Sequence, residues 1–402
     1  MKTKSIFLSA ILASALFMQL NAQTVDALSN KSYLIIGKDI RLPKDSIESK
    51  KLISALNNFL VAIQQPDKDN PWIFPAEKAE TELLIDEMRG MDKRDSIIFQ
   101  SYLTNIEALS DKNSYLVQIT YMGIDNETPR LRAIFELIAH KTDDDFLFSS
   151  PLVRNTKEWK TKAIDYLSFH YQDISAENAI NQCSKVIMEY DKKLTVNQPM
   201  DVYWCNDCND MTCMIRLTGV IYKADYAGFN WNMMDYEIKD KEIAFYTQRE
   251  SRREVIDTHD LFHWRANIAI PQEKRNFYMI CGCAYLYGGS WGISWEDIQK
   301  TFKQRMSYDE TTNWLKLYFE RYNFGESYAK NLLITQFINA LVIQKVEKEQ
   351  GFSCIMELLS SGNIYKDREN FFKAFERVTG INEKNFNAKV YQLIQDAMGK
   401  IE

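Results

Sequence analysis

Thr258-His259-Asp260-Leu261-Phe262-His263-Trp264 concentrates more reactive chemistry than any other stretch of the chain. The chain holds four histidines, and two of them stand here, four residues apart, with a carboxylate directly after the first. On a helix, positions i and i+4 share a face. This spacing therefore aims both imidazoles at one small volume, with Asp260 reaching the same side. Neutral imidazoles are ordinary zinc ligands, so the chemistry expected here is that of a zinc site.

The neighbouring residues predict the helix that such a site needs. Glu250, Glu254 and Asp257 load its N-terminal side with negative charge, and Pro271 ends it beyond Ile270. Glu242 to Thr247 alternates Ile243 and Phe245 with Ala244 and Tyr246, the pattern of a strand leading into that helix, and Asp201 to Trp204 reads as another strand. From Ser327 onward the pattern is mostly helical. A long helix ends near Gly351, and shorter ones follow over Phe352 to Leu359, Asn370 to Val378 and Asn382 to Met398.

The first part of the chain reads differently. Leu52, Leu56, Phe59, Leu60 and Ile63 recur at helical spacing, predicting a helix from Asp45 to Gln64, and a second follows from Ala76 to Met91. Ser101 to Ala108, Tyr115 to Met122, Leu131 to Ala139 and Phe146 to Leu152 are β-rich and separated by polar turns, which means an antiparallel sheet. Ala176 to Leu194 closes the unit as a helix. The proline of Asn197-Gln198-Pro199 marks the expected boundary. The fold class expected is α+β in two domains, with a signal segment over 1–22, a helix-plus-antiparallel-sheet domain over 23–196 and a mostly helical domain over 197–402. Helices on a curved sheet resemble the nuclear-transport-factor and cystatin folds in layout alone.

Composition narrows the function. The net charge is −6 and no basic stripe occurs, so nucleic acid is not an expected partner. Lys2 and Lys4, the apolar run Ile6 to Phe17 and Leu20-Asn21-Ala22 read as a secretory signal. A cleaved signal makes the protein periplasmic or secreted, with no membrane attachment afterwards; the rival is an uncleaved N-terminal anchor. All seven cysteines follow that segment, an odd number for an oxidising compartment. Cys205, Cys208 and Cys213 suggest one disulfide with a free partner rather than a zinc knuckle. His140 and His170 have no carboxylate or cysteine at ligand spacing and read as surface or half-buried residues.

After the histidine helix comes Cys281-Gly282-Cys283-Ala284-Tyr285-Leu286-Tyr287-Gly288-Gly289-Ser290. Together with HDLFH at His259 to His263, this string resembles the gluzincin zinc metallopeptidases, whose pattern is HExxH followed on the next helix by a glutamate ligand, often within E-G-x-A-x-Y. Specific motif content runs from Thr258 to Gly292. The resemblance implies His259, His263 and Cys281 as zinc ligands, with Asp260 as the base that takes a proton from a metal-activated water. Two departures stand out. Aspartate withdraws the carboxylate by ~1.5 Å relative to glutamate, and Cys281 occupies the slot of the third ligand.

Phe277, Cys281, Ala284 and Gly288 fall on one helical stripe, so the thiol is expected to face the histidines. Glu254, Asp257, Glu273 and Glu296 are acidic substitutes, none of them in the family's slot. Tyr322 and Tyr328 are candidates for a transition-state hydrogen-bond donor, and the Gly288 to Gly292 turn for a tight crossing beneath the histidine helix, with Trp291 and Trp295 as packing. The resemblance thus implies an exported zinc metallopeptidase acting on peptide or protein substrates. The alternative is an inactive pseudo-peptidase that keeps the cleft for a peptide or envelope partner, and a third reading makes zinc a purely structural staple.

Overall fold

The computed structural model describes residues 33–65, 69–94, 96–205, 215–224, 233–238, 241–246, 257–327 and 330–399. The protein is a mixed α+β chain. It divides into two compact units, one within residues 1–159 and 210–230, the other within residues 160–209 and 231–402. The signal-like segment, Cys208, Cys213, Glu250, Glu254 and Tyr328 lie outside the described residues. Among the described residues no helix is long and apolar enough to cross a membrane.

The first unit opens with β1 (Leu34–Ile36), α1 (Ser46–Ile63) and α2 (Lys78–Met88), then a short ladder of β2 (Lys93–Arg94) and β3 (Ile97–Ile98). Strands β4 (Gln100–Ala108), β5 (Ser114–Asp125), β6 (Thr128–Lys141) and β7 (Phe146–Ser149) follow, ending at the single-turn helix α3 (Leu152–Asn155). Its main sheet runs β1-β4-β5-β6-β11, with β7 also on β6 and β11 at Val220–Lys223. Asn126 and Glu127 take φ of 47° and 66° at the β5–β6 turn, the twist a two-residue hairpin requires. Leu52, Leu56, Phe59, Leu60 and Ile63 of α1 are buried as their spacing predicts, and the Phe59 ring packs 5.1 Å from that of Phe148 on β7.

The second unit begins earlier than the proline-containing spacer. Strands β8 (Lys160–Ile164) and β9 (Leu167–Tyr171), the helix α4 (Glu177–Leu194) and β10 (Met200–Trp204) all belong to it. The boundary expected at 197–199 is corrected to Lys160 because β9 pairs in parallel with β10, Met200 against Leu167 through Trp204 against Tyr171. Parallel strands need a helical crossover between them, and α4 is that crossover rather than the end of the preceding unit. Residues 215–224, conversely, return to the first unit, where β11 pairs with β6.

The second sheet runs β12-β13-β10-β9-β8, with β12 at Met233–Ile238 and β13 at Lys241–Tyr246. Its three inner strands are parallel and both outer strands antiparallel to them. Val202, Trp204, Ala244 and Tyr246 join one core with Ile180 and Ile187 of α4 and with the helices that follow. Those helices are α5 (Thr258–Ala269), α6 (Phe277–Gly288), α7 (Trp295–Arg305), α8 (Trp314–Phe319), α9 (Ile334–Gln350), α10 (Phe352–Leu359), α11 (Arg368–Thr379) and α12 (Phe386–Met398). Gly351 and Gly380 cap α9 and α11 at φ of 86° and 72°, a conformation that glycine adopts without steric cost.

Candidate functional site

The histidine helix forms where the sequence places it. Asp257 is its N-cap, its Oδ1 accepting the backbone N–H of Asp260 at 3.1 Å, and Ile270 closes it directly before Pro271. Behind α5, Arg265 is fully buried between two carboxylates. Its Nε and Nη2 donate to Asp191 of α4 at 2.6 and 3.0 Å, and its Nη1 donates to Glu242 of β13 at 2.7 Å. Tyr166 Oη donates to the same Asp191 at 2.5 Å, and Tyr190 Oη donates to the Thr258 carbonyl at 3.2 Å. These bonds fix how α5 is rotated against α4 and the sheet, and hence where its opposite face points.

That opposite face carries the two imidazoles, ring centroids 5.0 Å apart. His259 Nδ1 lies 2.6 Å from the Gly289 carbonyl oxygen. A carbonyl only accepts, so Nδ1 carries the proton and Nε2 keeps its lone pair, the tautomer a histidine needs to ligate a metal through Nε2. Burial and the neighbouring His259 push His263 down to about 3, so it stays neutral above that pH.

The turn after α6 is built into this face. A Cβ on Gly288 would meet His259 N at 2.4 Å and Thr258 C at 2.6 Å, so only glycine fits, and Thr258 Oγ1 donates to the Gly288 carbonyl at 3.3 Å. The tight crossing read from the glycine-rich string is therefore present. Trp291, by contrast, is 51% exposed and donates through Nε1 to the Asn331 carbonyl, while Trp295 packs its ring 5.4 Å from Phe337. Gly282 serves a different approach, since a Cβ there would meet Asn339 Cβ of α9 at 2.6 Å.

Facing the imidazoles from α6 are aromatic rings. Phe277 lies 5.4 Å from His263 and Tyr285 lies 5.8 Å from His259, centroid to centroid. Cys281 sits between these two on the same stripe and is buried. Desolvation pushes that thiol up to about 12, against a lowering by Gln336 and Arg321, and Asp260 is close enough to raise it further. Among the described residues, no three His, Cys, Asp or Glu side chains gather closely enough to hold a metal ion. The imidazole pair suits a metal in tautomer and charge. Cys281 does not close a three-donor cluster with the two imidazoles, so the set expected to supply three donors does not fit as a three-donor centre.

The acidic substitutes do not fill the gap. Asp257 is committed to the helix cap, Glu273 lies in an exposed single turn, and Glu296 pairs with Lys300 at 3.2 Å on the surface. Tyr322 is 46% exposed. His170 and His140 are half-buried: His170 stacks on Tyr203 at 4.7 Å, and its Nε2 lies 3.5 Å from Asp201, while His140 bonds Ser149. Cys205 is a free, buried thiol, as are Cys183, Cys281 and Cys283, and Cys354 is free and partly exposed.

Several residues that shape the site were not singled out from sequence. Tyr285 was within reach of the reading, since it lies four residues past Cys281. Asp191 and Arg265 leave no local trace, because each acts on a partner tens of residues away. Compared with models of known protein families and with curated proteins, the chain matches none.

Proposed function

We propose that this protein is an exported, gluzincin-like pseudo-peptidase that holds an extended peptide or an envelope partner without cutting it. The observation that carries this reading is that, among the described residues, no three His, Cys, Asp or Glu side chains gather closely enough to hold a metal ion. A buried Cys281 stands in the slot where the resembling family has a glutamate ligand, and Asp260 is a shorter base than the glutamate of the pattern. The binding half of the design is supported by the sheet. Strand β12 packs against α5, forms the sheet's antiparallel edge and has no second strand partner among the described residues. An extended peptide can add to such an edge through main-chain hydrogen bonds.

One finding favours a second reading, an active and slow zinc peptidase. The Gly289 carbonyl holds His259 in the tautomer a ligand needs, and His263 remains neutral. A bound zinc would supply an activated water at neutral pH. Peptide cleavage by the wild type and by the double variant Asp260→Glu/Cys281→Glu separates the two. A gain confined to the double variant supports the pseudo-peptidase, and wild-type cleavage that is lost in His263→Ala refutes it.

A further inference from the structure

The first unit contains a cavity of about 580 Å³ that takes no part in the site above. Its walls include Glu77, Asp111, His140, Arg154, Lys157 and Glu158. Its size falls within the range of small-molecule sites.

The inner wall is polar. Ser149 is fully buried, and its hydroxyl bonds His140 Nε2 at 2.8 Å. The imidazole is held flat on Phe74, ring centroids 4.0 Å apart and planes 15° apart. Asp111 is spent on its own turn, accepting from the backbone N–H groups of Asn113 and Ser114, each at 2.9 Å, and from the Ser114 hydroxyl.

Glu77 is different. It is half-buried, burial and nearby Glu80 push its carboxyl up, and it has no ion-pair partner among the described residues. A carboxylate withdrawn from water and left without a counter-charge is costly, and a cationic ligand group offsets that cost. The opposite sign stands at the rim, where α3 and the turn after it expose Arg154 and Lys157. Lys157 is paired there with the exposed Glu158 at 3.6 Å, and Arg154 has no ion-pair partner among the described residues.

We propose that this cavity binds a small zwitterion, an amino acid or dipeptide, with its ammonium against the Glu77 carboxylate and its carboxylate against Arg154 and Lys157. The half-buried Glu77 carboxyl within and the exposed Arg154 at the rim orient such a ligand amine-first.

The test is calorimetric titration of the full chain with Ala-Ala, N-acetyl-Ala-Ala and Ala-Ala amide. Ala-Ala should bind, and each blocked form should bind at least about tenfold more weakly, because either leaves one charged wall unpaired. Glu77→Gln and Arg154→Glu should each weaken Ala-Ala by about tenfold or more at an unchanged thermal midpoint, while His259→Ala leaves it unaltered. Should Glu77→Gln not fold, Glu77→Asp keeps the charge and must weaken binding by a smaller factor. The proposal is overturned if Ala-Ala does not bind, if the acetylated or amidated dipeptide binds as well as the free one, or if folded Glu77→Gln binds like the wild type.

Discussion

Gly288 lies against His259 so closely that a single added methyl would overlap the histidine's backbone nitrogen, at 2.4 Å. The obstacle is backbone on both sides, so neither partner can swing aside as a flexible side chain would. Gly288→Ala should therefore destabilise the protein by about 1–3 kcal/mol, the usual cost of overpacking, and should also loosen the bond from His259 Nδ1 to the Gly289 carbonyl. Urea unfolding reads the first effect and the imidazole nitrogen shifts of His259 read the second. An unchanged midpoint together with unchanged shifts would contradict the crossing described here.

Arg265 gives a second expectation. Replacing it with methionine leaves Asp191 and Glu242 buried together without their cation, which should cost about 3–5 kcal/mol. Lysine should not restore the loss, because Asp191 is held by two parallel N–H groups of one guanidinium fork. The sign of the pH effect is fixed. Without the arginine, both carboxyls have folded pKa values above their unfolded ones, so the folded state takes up protons and the deficit shrinks as pH falls. Chemical denaturation of Arg265→Met at neutral and mildly acidic pH measures this, and a deficit that grows on acidification would refute it.

His263 titrates in the opposite sense. Its pKa lies near 3 in the folded protein against 6.5 when exposed. Between these values the unfolded chain holds the extra proton, so stability contributed by the neutral ring is complete above about pH 6.5 and is lost as pH falls towards 3. His263→Phe should flatten the stability profile over that window. Proton-coupled ring shifts of His263 that move near neutral pH would show that the ring is not desolvated.

Cysteine reactivity supplies an independent check on the thiol. Cys281, Cys283 and Cys183 are buried with their pKa values pushed up by desolvation, to about 12 for Cys281 and Cys183, whereas Cys354 is partly exposed. Alkylation of the native protein at pH 8 should mark Cys354 before Cys281, Cys283 and Cys183, which stay unmodified until the chain unfolds. Early labelling of Cys281 would mean that its sulfur is accessible and more acidic than its surroundings imply.

Much of this architecture was legible from periodicity alone. The helix Thr258–Ala269, the strand β4 and the helices α1 and α4 stand within a residue or two of where apolar spacing and caps put them, because those signals are local, while β5 and β6 overrun their expected ends by up to three residues. What escaped was non-local. Strands β8 and β9 are short, and the pairing of β9 with β10 across α4 is set by register between segments some thirty residues apart. At the site, His259, His263 and the Gly288 crossing followed from spacing. The stripe of Phe277, Cys281, Ala284 and Gly288 caught Phe277, whose ring faces His263, and left out Tyr285, whose ring faces His259. Whether a third donor closes on the imidazoles depends on how the helices pack, which a single residue type does not show.

The central claim is that α5 and α6 present two imidazoles without a competent third donor. Zinc content after metal-replete preparation and gel filtration, measured in the wild type and in Cys281→Ser and His263→Ala, tests it most directly. The account predicts clearly less than one zinc per chain in the wild type and no change in Cys281→Ser. One zinc per chain that disappears in both variants would contradict it and return the protein to the working metallopeptidases.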